Sequence, residues 1–297
     1  GGLLSDHRGS GAGARSFADG FHHGGTITSY ASSLGNVEGA EWKTPILYLY
    51  RRRMQDSGGP GEHRGGTTCE VAFTPYGVDH VTLKLTNTAG TEQTNAHGLD
   101  GGYPGAGSQA ALVRGSDVAD RLARGGEMPP ISGFGGEMSY LPSKADEIIR
   151  AGDVYGYWAA GGGGFGDPLD RDPALVAADV ADGTISTSAA ADLYGVVLGK
   201  DGTTPDLPST GRARAGIRAA RREAGDRASN GSRHRCGACG NDTDFASARH
   251  PLHRAGPWIA LRYGGDGPNF ALEETSCATC GSLVDVREVL KENANTV

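Results

Sequence analysis

Four of the five cysteines stand in two short motifs, Cys236-Gly237-Ala238-Cys239-Gly240 and Cys277-Ala278-Thr279-Cys280-Gly281. The glycine that closes each motif lets the turn bring backbone N–H groups toward the thiolates. Four thiolates complete a closed tetrahedral Zn²⁺ site. A redox dithiol needs only one such pair, and a thioredoxin-like pair sits where a strand meets a helix. Between and after the motifs, Trp258-Ile259-Ala260-Leu261-Arg262-Tyr263 and Leu283-Val284-Asp285-Val286 have strand character. The expectation is a zinc ribbon over 236–297, with Cys236, Cys239, Cys277 and Cys280 as ligands and Zn²⁺ as a structural cofactor. Cys69 reads as a small buried hydrophobe.

Catalytic candidates are fewer. Asp56 and Arg64 stand among glycines that allow close backbone approach, so either could be presented to a cavity; the competing reading is that they pair with each other or cap local backbone. Adjacent histidines such as His22-His23 point in different directions, so one metal site rarely uses both. The run Arg51-Arg52-Arg53 offers forked donors for phosphate or carboxylate, but ion pairs with Glu38 and Glu41 are the favoured reading. Gly161-x-Gly163-x-x-Gly166 after a strand-like run fits a dinucleotide pattern. That pattern needs a helix opening on its last glycine. Asp167-Pro168-Leu169-Asp170-Arg171-Asp172-Pro173 delays any helix, and no Gly-Lys-Ser or Gly-Lys-Thr is present, so no nucleotide site is expected.

The elements that must position these residues are unusual. Stretches 51–68, 98–108 and 158–168 are glycine-rich without the padding of a flexible linker. Polyproline-II segments have no internal hydrogen bonds and pack closely only where glycine leaves the facing position empty. A core layer of glycine-rich, polyproline-II-like segments is therefore expected. Around it the sequence predicts a strand after Pro45 that ends before the arginine run, a hairpin from 69–74 and 79–85 about Pro75-Tyr76-Gly77, an irregular stretch over 109–136 and a strand over 154–158. Asp172 before Pro173 predicts a capped helix ended by Gly183, and Ser186 or Ser188 caps a second short helix closed by Gly195. Residues 199–211 read as a linker, and Arg212, Arg214, Arg218, Arg221, Arg222 and Arg227 as a basic helix, solvated or docking an acidic partner subunit. The fold class is mainly β with glycine-rich segments, a short helical hairpin and a C-terminal zinc ribbon. The expected division is 1–198, 199–235 and 236–297.

Several motifs occur in a telling order: Asp56-Ser57-Gly58-Gly59-Pro60-Gly61, Arg64-Gly65-Gly66, Gly101-Gly102-Tyr103-Pro104-Gly105, Ala151-Gly152-Asp153-Val154, 161–168, Arg171-Asp172-Pro173, Asp179-Val180 and Tyr194-Gly195-Val196-Val197-Leu198. Upstream, Asp19-Gly20, Asn36-Val37-Glu38, Glu41 and Pro45 agree. Together they resemble the C-terminal part of the hydantoinase B/oxoprolinase family, which includes the related subunits of acetone and acetophenone carboxylases, and 236–297 resembles the small zinc-binding parts associated with those carboxylases. The resemblance implies a subunit, or part of a split subunit, of a multi-subunit ATP-dependent carboxylase acting on a ketone or related carbonyl. It implies a hydantoinase A-type partner that carries ATP and Mg²⁺ and performs phosphorylation. The alternatives are a subunit of a ring-opening hydrolase of hydantoins, oxoproline or lactams, and a non-catalytic scaffold. The part of the family in which carboxylases place His and Asp metal ligands has no counterpart here. A second chain is expected to carry that part, with a possible second metal.

Composition bounds the partners. A net charge of −7 implies no general attraction to nucleic acid, and no apolar run approaches the roughly 18 residues of a membrane span. Charged residues at 21%, with recurring apolar runs, argue against disorder over 1–200. Cys-x-x-Cys pairs read as metal ligands fit a reducing compartment, and a cytoplasmic location is expected.

Overall fold

The computed structural model describes residues 9–23, 36–86, 96–224, 226–227, 234–257 and 270–291. In chain order the strands are Ile46–Arg53 (β1), Cys69–Pro75 (β2), His80–Thr86 (β3), Gln109–Arg114 (β4), Glu137–Tyr140 (β5), Lys144–Arg150 (β6) and Val154–Trp158 (β7). They are followed by Asp226–Arg227 (β8), His234–Arg235 (β9), Asp242–Thr243 (β10), Phe245–His250 (β11), Phe270–Cys277 (β12) and Leu283–Leu290 (β13). Helices are Val37–Lys43 (α1), Val118–Arg124 (α2), Pro173–Ala181 (α3), Thr187–Asp192 (α4) and Leu207–Ala224 (α5). The chain is thus mainly β with a few helices, and no described helix is long and apolar enough to cross a membrane.

The central sheet has the antiparallel order β1-β2-β7-β4-β5. Side chains two apart share a face, so β4 sends Ala111 and Val113 to one side and Ala110 and Leu112 to the other. The first side packs Trp158 and Val154 against Val118, Ile131 and Phe134. The second packs Phe73 and Tyr155 against Ile149 of the two-stranded β3–β6 ribbon. With both faces covered, β2 is buried along its whole length.

The expected hairpin from 69–74 to 79–85 does not form. Both edges of β2 are taken, by β1 and β7, so β3 leaves the sheet and pairs with β6 instead. The stretch 109–136, expected to be irregular, contains β4 and α2. A strand buried on both faces does not alternate, and Gln109-Ala110-Ala111-Leu112-Val113 lacks the period-2 signal for that reason. The arginine run does not end β1 either; Arg51 to Arg53 pair with Val71 to Cys69. Two of the three find acidic partners other than Glu38 and Glu41. Arg52 bonds Glu70 at 2.7 Å and Arg53 pairs with Asp182, while Arg51 stacks over the Tyr48 ring.

Beside the sheet the glycine segments exchange backbone hydrogen bonds. Gly59 N donates to Gly162 O (2.7 Å), Gly162 N to Gly66 O (2.9 Å), Gly164 N to Tyr103 O (2.9 Å) and Gly161 N to Ala106 O (2.9 Å). Residues 9–23 join through Gly66 N to Ala12 O and Ala14 N to Gly163 O (both 2.8 Å). The approach leaves no room for side chains: a Cβ on Gly65 would lie 1.9 Å from Gly162 O. These amides are spent on carbonyls of the neighbouring segments.

One ionic cluster closes this region. Arg171, 1% exposed, donates to both oxygens of Asp19 (2.7 and 2.8 Å) and to Asp179 (2.8 Å), whose other oxygen accepts from Arg64 Nε (2.9 Å). Burial opposes the charge on Asp19, but the hydrogen bond and charge of Arg171 together with the charge and backbone N–H of Arg64 outweigh it and hold the carboxyl below its usual range. The helices follow their caps. Asp172 accepts from Ala174 N (2.9 Å) and Ser186 from Ala189 N (3.1 Å), and α3 and α4 pack through Val176, Ile185, Ala190 and Tyr194.

The basic helix α5 is not a solvated rod. Arg214, Arg218 and Arg221 recur at helical spacing on one face. Arg214 donates to Tyr194 O (3.0 Å) and Arg171 O (2.7 Å), Arg218 to Asp170 (2.6 Å) and Arg221 to Asp167 (2.9 Å). Arg212 and Arg222, off this row, are exposed.

Gly163→Val tests the glycine layer, because its Cβ would lie 2.0 Å from His97 O. A loss of about 3 kcal/mol or more is expected by denaturant unfolding. Gly211→Ala on α5, where nothing lies within 4 Å, is expected to stabilise by up to about 1 kcal/mol. Equal effects from the two would refute the close-approach reading.

Candidate metal centre

Two hairpins build the centre. The turn between β9 and β10 carries Cys236 and Cys239, and the turn between β12 and β13 carries Cys277 and Cys280. The turns bond alike: Gly240 N donates to Cys236 O and Gly281 N to Cys277 O (both 2.8 Å), while Cys236 N donates to Asn241 O (3.0 Å) and Cys277 N to Ser282 O (2.9 Å). Ala278 N to Asp244 O (3.1 Å) and Thr279 Oγ1 to Thr243 Oγ1 (2.8 Å) tie one turn to the other.

The four sulfurs lie within 4.8 Å of one another. Cys236 and Cys280 are 3.8 Å apart, and Cys239 and Cys277 are 3.9 Å apart. A tetrahedral ion with metal–sulfur bonds of about 2.3 Å sets its sulfurs about 3.8 Å apart, whereas a disulfide requires about 2.05 Å. All four cysteines are free thiols. Four sulfurs at this spacing could hold a metal ion, and a tetrahedral all-sulfur set suits zinc or iron. Burial pushes the Cys236 thiol up to about 12. At Cys280 burial acts the same way, but hydrogen bonds from Ser282 prevail and bring it down to about 7. Among the described residues no other group of three or more potential ligands converges.

The centre is bolted to the rest of the chain through Asp167, which sequence reasoning placed in a motif without assigning it a task. Its Oδ1 accepts from Leu169 N (3.0 Å), and its Oδ2 accepts from Arg221 (2.9 Å) and from Leu283 N (3.0 Å), just beyond the second cysteine turn. Arg221 also reaches Gly281 O (3.4 Å). Gly281, at φ +77°, lies so close to α5 that a Cβ would stand 2.3 Å from Arg218 O. Deeper in, Tyr103 of the second glycine segment donates to Glu274 of β12 at 2.7 Å and packs with Leu252, Leu272 and Leu283. The one sequence signal for this joint was Asp167 before Pro168, an N-cap pairing that the structure uses for a turn of 3₁₀ helix.

Asp56 and Arg64 are not brought together. Asp56, at φ +59°, accepts from Ser186 N (2.7 Å) and lines a cavity beside α4. Arg64 is buried in the cluster with Asp179 and Asp19. His22 accepts from Thr67 N (3.1 Å) and meets Arg64 (3.2 Å). Burial first, and Arg64 second, hold its pKa below the usual value. Cys69 is buried in β2. The strand expected at 258–263 lies outside the described residues.

Residues 4–168 match the model of the hydantoinase B/oxoprolinase family. Over 230 residues the chain is 31% identical to the acetone carboxylase alpha subunit of Xanthobacter autotrophicus, covering 70% of this chain and 29% of that one. Over 195 residues it is 30% identical to the caprolactamase subunit beta of Pseudomonas jessenii, covering 65% of this chain and 30% of the relative. The solved nucleotide-free structure of acetone carboxylase superposes with a TM-score of 0.63 at 30% identity, over 72% of this chain and 30% of that one. The chain spans about three tenths of the length of these relatives.

Cys277→Ser, which removes a buried sulfur, is expected to abolish stoichiometric metal in elemental analysis and to lower the Tm by several degrees. Metal-free wild-type chain with unchanged near-UV circular dichroism would overturn the assignment of a metal centre.

Proposed function

The chain belongs to the hydantoinase B/oxoprolinase family, and from that membership we propose that it works as the C-terminal portion of a B-type subunit in a multi-subunit, ATP-dependent carboxylase. The substrate class is a ketone or related carbonyl compound. The observation that carries this reading is the likeness to the acetone carboxylase alpha subunit, in sequence and in structure. Phosphorylation belongs to a hydantoinase A-type partner that holds ATP and Mg²⁺; the hydrogen-bonded glycine amides of this chain favour that division. The rest of the B-type subunit, where a second metal is expected, is a further partner, and the complex works in the cytoplasm.

Within the assembly the chain divides into a B-like region over 1–198, a connecting segment with the basic helix over 199–235 and a zinc ribbon over 236–297. Zn²⁺ is the ion of the cysteine centre. When bound it supplies no chemistry to substrate; it holds the two cysteine turns together, and Cys236, Cys239, Cys277 and Cys280 fill its coordination. The glycine segments run in a polyproline-II-like conformation, which their inter-segment bonding and lack of helix favour. Asp56 is the better catalytic candidate, since it borders a cavity and Arg64 is committed to carboxylates.

A second reading has its own observation. The likeness to caprolactamase subunit beta favours a ring-opening hydrolase of a cyclic amide. A scaffold role is favoured by the absence, among the described residues, of a second group of converging metal ligands besides the four cysteines.

Coexpression with A-type and N-terminal B-type chains decides among these. The complex is expected to fix labelled bicarbonate into a ketone with ATP consumption, and the chain alone to hydrolyse no ATP. Lactam opening without bicarbonate incorporation would favour the hydrolase, and full activity of the partners without this chain would overturn both.

A further inference from the structure

A cavity of about 750 Å³ lies where the first glycine loop, α4, α5 and the stretch after β11 meet. That volume is within the range of small-molecule sites, which run from about 300 to 1,000 Å³. Its apolar lining includes Ile185, Leu193 and Ile217, and its charged residues come from different elements. His250 ends β11, and His253 and Arg254 stand on the turn that follows it. Asp56 comes from the glycine loop and Asp192 from the end of α4. Two backbone positions in the wall are held in the left-handed half of conformational space, Asp56 at φ +59° and Gly256 at φ +136°. They meet, since a Cβ on Gly256 would lie 3.3 Å from Asp56 O. A non-glycine residue in that region costs of order 1–3 kcal/mol and concentrates at ligand sites.

The cationic wall is rigid. Arg254 bonds Glu274, and Glu274 also accepts from Tyr103 (2.7 Å). Burial alone would raise the Glu274 pKa, but Arg254 first and Tyr103 second hold it down. The guanidinium is thus fixed in place on β12 while about a third of its side chain stays open. A second space of about 310 Å³ continues past Asp192, Ile217, His250 and Arg254 to Arg221.

We propose that this cavity binds a small dipolar organic molecule, with its acidic end toward His253 and Arg254, its basic end toward Asp56 and Asp192, and a short aliphatic body against Ile185, Leu193 and Ile217. Arg254, which pairs with Glu274 on one side and keeps about a third of its side chain open, and His253 can meet an acidic end, while burial lowers the His250 pKa and leaves that ring a neutral polar neighbour. A simple anion would face the aspartates and a simple cation the arginine. The site needs neither the carboxylase nor the hydrolase reading.

The test is calorimetric titration of the metal-loaded chain with 5-aminopentanoate, pentanoate and pentylamine. The dipolar probe is expected to bind at least tenfold more tightly than either single-ended probe. Asp192→Asn and His253→Gln change exposed side chains, and each is expected to reduce the dipolar probe to the single-ended level with metal content and circular dichroism unchanged. Ala191→Phe, on the cavity wall, is expected to abolish binding of all three. Equal affinity for the three probes, no binding at 10-fold the protein concentration and above up to saturation of the probe, or binding indifferent to Ala191→Phe would each overturn the proposal.

Discussion

The structure depends on backbones that touch without side chains between them. In the glycine layer the facing group is usually a carbonyl: Ser57 O opposite Gly161, Tyr103 O opposite Gly59, Pro60 O opposite Gly164. Amides of this layer such as Gly59, Gly162 and Gly164 N donate to carbonyls of the facing segments, so close packing is reached through hydrogen bonds rather than apolar area. This explains how a chain with only 37% hydrophobic residues and 50 glycines builds an ordered interior. It also explains why the largest buried side chains include Arg171, which fills volume and satisfies two aspartates at once. Such a cluster is costly to break, because removing one partner strands the others without water.

The cysteine cluster extends the same logic by different means. The ribbon sheet β13-β12-β11-β8 has its own apolar contacts, but its cysteine end meets the glycine layer through polar groups. Asp167, Arg221 and Leu283 N form that joint, and the Tyr103–Glu274–Arg254 chain forms a second one deeper in. Tyr103 is buried with its phenol on a carboxylate, and burial first and Glu274 second raise its pKa, so it stays a neutral donor. The cysteine region is therefore a wall of the same body.

Legibility in the sequence followed the locality of the cause. The Cys-x-x-Cys-Gly spacing, the Asp172-Pro173 cap and the Ser186 cap are written within a few residues, and each stands where the sequence places it. The order of glycine motifs identified the family for the same reason. What escaped was set by neighbours distant along the chain. β4 has no alternation because both its faces are covered, and β3 lies apart from β2 because β1 and β7 take both edges of β2 in the finished sheet. The arginines of α5 looked like a solvated face until Asp170 and Asp167 were placed opposite them. Nothing near Asp56 in sequence says that Ser186 would cap against it or that Gly256 would rest on it.

The position of β7 also sets an order of events during synthesis. It inserts between β2 and β4, both of which precede it in the chain. A ribosome releases β1 and β2 well before β7, and until residues 154–158 emerge the native partners available are β1 for β2 and β5 for β4. The sheet is then two separate antiparallel pairs, each with an open edge of the kind that invites wrong partners. Closure of the sheet brings the strand that leads directly into 161–166, so completion of the sheet and delivery of the third glycine segment are one step. Contacts of such long sequence separation are slow to form, which makes β7 the timekeeper of folding and the interval before its arrival the window in which a chaperone has most to protect.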